Sequence, residues 1–195
     1  IFNLYSADSE SFKYKKLKKK YPKNFLFLGR LEEVKGISLL LNAWKQIQDK
    51  KGWSLTFIGN GSYSKKIKRQ PNVTLKEFMQ PDKLIKEIQN YGFLILPSIH
   101  EPWALVIQES MSAGIPVLAS NVCGASPVFI IPNYSGFTFK SGDITDLVDK
   151  MKKIISLDEH KLKIMSSNAL ERSGVINPKI SAASFMSVLE NRDNQ

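Results

Sequence analysis

The chain has 195 residues, 43% of them apolar and 24% charged, enough for one well-buried domain rather than two. A single cysteine, Cys123, excludes an internal disulfide and fits a reducing compartment; with only two histidines and no ligand spacing around Cys123, no metal site is expected. No apolar run approaches the ~20 residues of a membrane span and no signal-peptide pattern is present, so the expected location is the cytoplasm, with the inner face of the membrane as the alternative.

The net charge of +10 is uneven: residues 1–24 hold seven lysines against Asp8 and Glu10. The run Lys13–Lys20 reads first as a solvated linker or surface helix, and second as a peripheral contact with an anionic membrane. Nucleic acid is not expected as a partner, because aromatics interleave weakly and no nucleic-acid module follows. Residues 1–22 are set apart as a basic lead-in and 23–195 as the folded domain. The chain opens on Ile1 rather than Met, which reads as a piece of a longer protein.

Phe25-Leu26-Phe27-Leu28 predicts a strand ending at Gly29-Arg30, followed by a helix over about 36–49 with Ile37, Leu40, Leu41, Trp44 and Ile47 on one stripe. Leu55–Ile58 is a second strand, closing on Gly59-Asn60-Gly61. A polar helix and a short strand over 72–75 come next. A helix over 81–91, buried through Leu84, Ile85 and Ile88, is stopped by Gly92. The strand Phe93–Leu96 then leads through Pro97-Ser98 to a helix predicted to begin near Pro102, whose missing N–H is no loss in a first turn. Gly114 ends it, and Val117–Ala119 is the next strand. A last strand over 136–140, a helix capped by Asp143, and helices over 159–172 and 178–191 complete the pattern. Apolar strands alternating with amphipathic helices specify a doubly wound, Rossmann-like α/β fold, a parallel sheet with helices on both faces. Ligands on such sheets bind beyond the carboxyl ends of the strands.

Three of those ends carry chemistry. Gly29-Arg30-Leu31-Glu32-Glu33-Val34-Lys35-Gly36 sets an arginine and a lysine around a strand-to-helix turn, as phosphate donors or as solvated cations balancing Glu32 and Glu33. Gly59-Asn60-Gly61 is not a dinucleotide fingerprint, since Ser64 holds the sixth position; ligand contact and a plain glycine turn are both open. Glu101 and Glu109 flank a helix N-terminus suited to an anion, and Glu109 lies among Val106, Ile107 and Met111 with no cation in the helix to answer it. Hydroxyl-rich sugars on either side of a diphosphate would explain both acids.

These pieces, together with Gly114-Ile115-Pro116-Val117, Gly124-Ala125 and Ser135-Gly136-Phe137, resemble the carboxyl-terminal half of a group 1 (family 4) retaining glycosyltransferase of GT-B architecture, over residues 24–155. The resemblance implies a nucleotide-sugar-binding domain. Arg30, Lys35 and the backbone of Trp103, Ala104 and Leu105 would hold the donor diphosphate, and Glu109 the ribose. Glu101, the catalytic residue, would hold hydroxyls of the transferred sugar near the reacting carbon, and Gly29, Gly59, Asn60, Phe78 and Met79 would meet the nucleotide or its base. It implies no metal or cofactor. The acceptor, a saccharide or a lipid-linked one, would sit on an amino-terminal domain absent from this chain, against which the last two helices would pack. The chain alone would then be an inactive fragment of a hexosyltransferase. Two departures stand out: Ala104 where the family has glycine, and Ser110 where it commonly has alanine. The rival reading is a non-catalytic nucleotide-binding or regulatory module on the same fold.

Overall fold

A computed structural model describes residues 12, 20–177, 179–183 and 186–187. Lys13–Lys19 lie outside the described residues, as do parts of the helix expected over 178–191, of which 179–183 and 186–187 are helical.

Six strands form one parallel sheet: β1 (Asn24–Leu28), β2 (Ser54–Ile58), β3 (Val73–Lys76), β4 (Phe93–Leu96), β5 (Val117–Ser120) and β6 (Gly136–Phe139). Their order across the sheet is β3-β2-β1-β4-β5-β6. All of β4 and β5 is buried, as continuous apolar runs covered on both faces must be. Besides the helical residues near the end of the chain, α-helices among the described residues surround the sheet: α1 (Ile37–Gln46), α2 (Ser64–Lys68), α3 (Pro81–Ile88), α4 (Leu105–Ser112), α5 (Ser126–Phe129), α6 (Ile144–Ser156) and α7 (Glu159–Ser173). A single 3-10 turn, Glu33–Lys35, precedes α1.

The expected stripe of α1 is its buried face. That helix stops at Gln46 rather than near 49, because Ile47 turns extended and Asp49 accepts from the Lys51 N–H at 2.9 Å to start the next turn. Helix α3 ends at Ile88, short of the expected 91, and buries only Ile88 fully. Asp143 and Asp158 cap α6 and α7, accepting from the Asp146 N–H at 3.1 Å and the Lys161 N–H at 2.8 Å. Leu162, Met165 and Ala169 of α7 are buried within this domain, and α7 is tied to α4 through the fully buried Gln108, which donates to the Ser173 and Ile176 carbonyls at 3.1 and 2.6 Å.

The chain winds outward from β1 toward β3 on one side, then returns and winds from β4 toward β6 on the other. The order therefore reverses between β1 and β4, and the crevice beyond their carboxyl ends is where such a fold binds ligands.

Candidate donor site at the carboxyl ends of the strands

Four loops meet at that crevice, and glycines let their backbones touch. A Cβ on Gly59 would lie 2.0 Å from the Gly29 carbonyl oxygen, joining the loops after β2 and β1. One on Gly36 would lie 1.9 Å from the Pro97 oxygen, joining the loops after β1 and β4; Gly36 also sits at φ +72°, a left-handed conformation costly for any other residue. One on Gly124 would lie 2.1 Å from the Pro102 oxygen, joining the loops after β5 and β4. Backbone bonds run across the same seams: Ile99 N–H to the Val34 oxygen at 2.9 Å, and Ala125 N–H to the Trp103 oxygen at 2.9 Å. The glycine turn at 59–61 is thus explained by loop packing alone, whatever it later contacts.

The same lacing corrects the start of α4. The Glu101 and Trp103 carbonyls accept from Gly124 and Ala125 (3.1 and 2.9 Å), so neither can open a helix from Pro102. The helix begins at Leu105, where a tight i→i−3 bond from Ile107 N–H to the Ala104 oxygen at 3.0 Å closes the first turn. Ala104 reaches this by adopting φ 76°, ψ 72°, a left-handed conformation that favours glycine. The N–H groups of Ala104 and Leu105 consequently lie at a helix N-terminus, where intrahelical acceptors are lacking.

Two cavities open along the crevice and share Leu28, Gly29, Arg30 and Val106. The first, about 790 Å³, is polar on one wall: Arg30, Lys35 and Glu101 face Trp103, Ala104 and Leu105. The second, about 440 Å³, is lined by Gly59, Asn60, Phe78, Met79 and Leu84, with Glu109 its one carboxylate. The twelve residues to which the resemblance gives a role in the donor site all line one cavity or both, and Leu28, Ile58, Leu84, Leu96, Pro102, Val106 and Gly124 complete the linings without such a role. Val106 had a signal, standing three residues before Glu109 on the same helix face, whereas Leu84 had been read as core and is only half-buried.

The two acids differ in their surroundings. Lys35 Nζ donates to Glu101 Oε2 at 2.5 Å, with 17% and 13% of the two side chains exposed, so each charge answers the other. The acid that balances Lys35 is thus Glu101, across the loops, rather than its neighbours Glu32 and Glu33. Glu109 has no hydrogen-bond or ion-pair partner for its carboxylate among the described residues, and burial alone pushes its carboxyl above the ordinary range. Arg30 is exposed and meets no carboxylate within ion-pair distance among the described residues. His100 points to solvent. Phe78 is 62% exposed, a large apolar surface at the mouth of the second cavity. Ser110, the serine that stands where alanine is common, buries its hydroxyl without a partner.

A family model described as "Glycosyl transferases group 1" matches residues 8–172. The chain belongs to the group 1 glycosyltransferase family. It is 28% identical over 174 residues to the capsular polysaccharide biosynthesis glycosyltransferase CapM of Staphylococcus aureus, covering 80% of this chain and 44% of CapM. Among solved structures it shares its fold with HepE of Anabaena in complex with UDP (TM-score 0.80, 20% identity, 95% of this chain and 56% of that one). It also shares it with the C-terminal domain of the group 1 glycosyl transferase LpcC of Francisella tularensis (TM-score 0.68, 18% identity, 86% of this chain and 96% of that one). The chain spans about half the length, or less, of the curated relatives it matches.

Proposed function

We propose that this chain is the donor-binding domain of a retaining hexosyltransferase. The complete protein would transfer a sugar from a nucleoside diphosphate donor to a saccharide or lipid-linked acceptor held by a further domain. The observation that carries this is the pair of joined cavities, one cationic and one largely apolar, meeting at Gly29-Arg30 where the strand order reverses. A diphosphate spans the junction, the nucleoside enters the second cavity, and the sugar enters the first.

Arg30 gives bidentate bonds to the diphosphate, and the α4 N-terminus adds N–H donors. Lys35 is held by Glu101; an incoming diphosphate draws the ammonium away, and Glu101 is released to accept bonds from hydroxyls of the sugar near its reacting carbon. When the sugar–oxygen bond breaks, negative charge grows on the diphosphate, and Arg30, Lys35 and the helix N-terminus stabilise it there. The positive charge in this scheme comes from the protein, with no metal required. Glu109, half-buried and without a partner for its carboxylate among the described residues, accepts the ribose hydroxyls, which is the purpose for which such a carboxylate is kept. Phe78 and Met79 supply apolar area to the base.

UDP and UDP-glucose are the first ligands to try, since both have been bound to HepE. Calorimetry on the 195-residue chain should show binding of UDP, unaffected by a chelator, with no sugar transfer to added acceptors. Failure of UDP, GDP and ADP alike to bind would overturn the reading, and robust transfer by this chain would overturn its fragmentary status.

A further inference from the structure

Glu32 stands between Arg30 and Lys35 in the loop that supplies both cations, where an acid would be expected to answer one of them. It does neither at ion-pair distance among the described residues. Its carboxylate instead reaches across to the loop after β2. Oε1 accepts from the Ser62 N–H at 2.9 Å and Oε2 from the Ser62 hydroxyl at 2.6 Å. Two backbone bonds run parallel, Leu31 N–H to the Asn60 oxygen at 2.9 Å and Tyr63 N–H to the Leu31 oxygen at 3.0 Å. Contact is close enough that a Cβ on Gly61 would lie 2.5 Å from the Leu31 oxygen and 2.8 Å from Glu32 Oε1.

The loop from 29 to 36 is pinned by backbone contacts at its two ends, Gly29 N–H to the Ile58 oxygen at 3.1 Å and Gly36 against Pro97. Between them, backbone bonds at Leu31 and Val34 hold the loop, the Lys35 side chain reaches Glu101, and Glu32 is the side chain that ties it to the loop after β2. We propose that Glu32 is a positioning residue for the donor site: clasped by Ser62, it fixes the loop so that Arg30 and Lys35 face the diphosphate, and turns its own charge away from that anion. The clasp rests on the donor-site reading for its purpose but not for its existence. The bonds from Ser62, and Arg30 nearby, hold the Glu32 carboxyl below the ordinary range, so the clasp is charged at neutral pH.

The sign of one experiment separates this from a bystander. Removing an idle acid beside an anion site raises affinity for the anion; removing a positioning acid lowers it. In calorimetry with UDP, Glu32→Ala and Ser62→Ala should each weaken binding ~3–10-fold, and the double variant should be no weaker than Glu32→Ala, because both break one clasp. Glu32→Gln should recover part of the loss, since its amide oxygen still accepts from the Ser62 N–H. Without nucleotide, Glu32→Ala should speed hydrogen exchange at the Leu31 and Tyr63 amides while leaving Leu26 in the sheet protected, with an unchanged melting temperature. Tighter UDP binding by Glu32→Ala, additive losses, or unaltered exchange at Leu31 and Tyr63 would each overturn the proposal. Should the unaltered chain fail to bind UDP, GDP and ADP alike, the donor reading falls, and the exchange measurement still decides the clasp.

Discussion

The two cavities are built on opposite electrostatic plans. In the first, charge is plentiful and internally balanced: Glu101 and Lys35 meet at 2.5 Å, and Arg30 waits exposed beside them. In the second, one carboxylate, Glu109, is half-buried and has no partner at hydrogen-bond or ion-pair distance among the described residues, with Arg30 lining the same cavity. A paired site holds its charges at little cost and can exchange partners when a ligand enters. An unpaired buried charge is costly to the free protein, and the cost is recovered only when a ligand supplies the missing donors. The first arrangement suits a group that must change during a reaction, the second a group that must recognise.

The largest effect that would test this contrast is on chemistry. Glu101→Gln in the full-length protein should lower the rate of transfer by ~10²-fold or more, yet leave UDP binding intact or tighter, since Lys35 is then uncommitted. Equal losses of rate and UDP affinity would erase the division between the cavities. Next comes Arg30→Ala, which removes charge-assisted bonds at the junction and should weaken UDP binding ~10–100-fold in calorimetry; an unchanged constant would take Arg30 out of the site.

Glu109→Gln should show the opposite balance to Glu101→Gln, weaker UDP binding with a more stable free protein. Its pH dependence has a definite sign. Burial raises the folded-state carboxyl above the unfolded one, so the folded protein holds a proton that the unfolded chain has released, and stability falls as pH rises through that window. The variant's melting temperature should therefore exceed the parent's by roughly 2–4 °C above the raised value, where the penalty is in full force, and the gap should close as pH drops below about 4. A gap that widens toward acid would refute the desolvated-carboxylate account. The smallest effect is expected at the mouth of the first cavity. Ala104→Gly relieves a left-handed alanine and should add up to ~1 kcal/mol in chemical denaturation, offset in part by the entropy of glycine.

Both acids were visible in the sequence, and so was the sheet that carries them. Runs such as FLFL, LTFI and FLIL admit little but buried parallel strands, and Asp143 and Asp158 marked their helix starts because capping is a local bond. The start of α4 was misplaced at Pro102 because the competing bonds come from Gly124 and Ala125, more than twenty residues away, and no local pattern reports them. Ser110 is a similar case: a serine for an alanine is mild on a surface, and only packing leaves its hydroxyl buried and unpaired.

What the sequence determined by itself, then, is whatever depends on neighbours in the chain: the strand and helix alternation, the cationic loop after β1, and Glu101 and Glu109 at the two ends of one loop-helix unit. What only the tertiary structure decided is who answers whom across loops. Lys35 goes to Glu101, Glu32 goes to Ser62, and Glu109 meets no partner among the described residues, because charge pairing depends on ångström-scale distances between segments that sequence spacing does not encode.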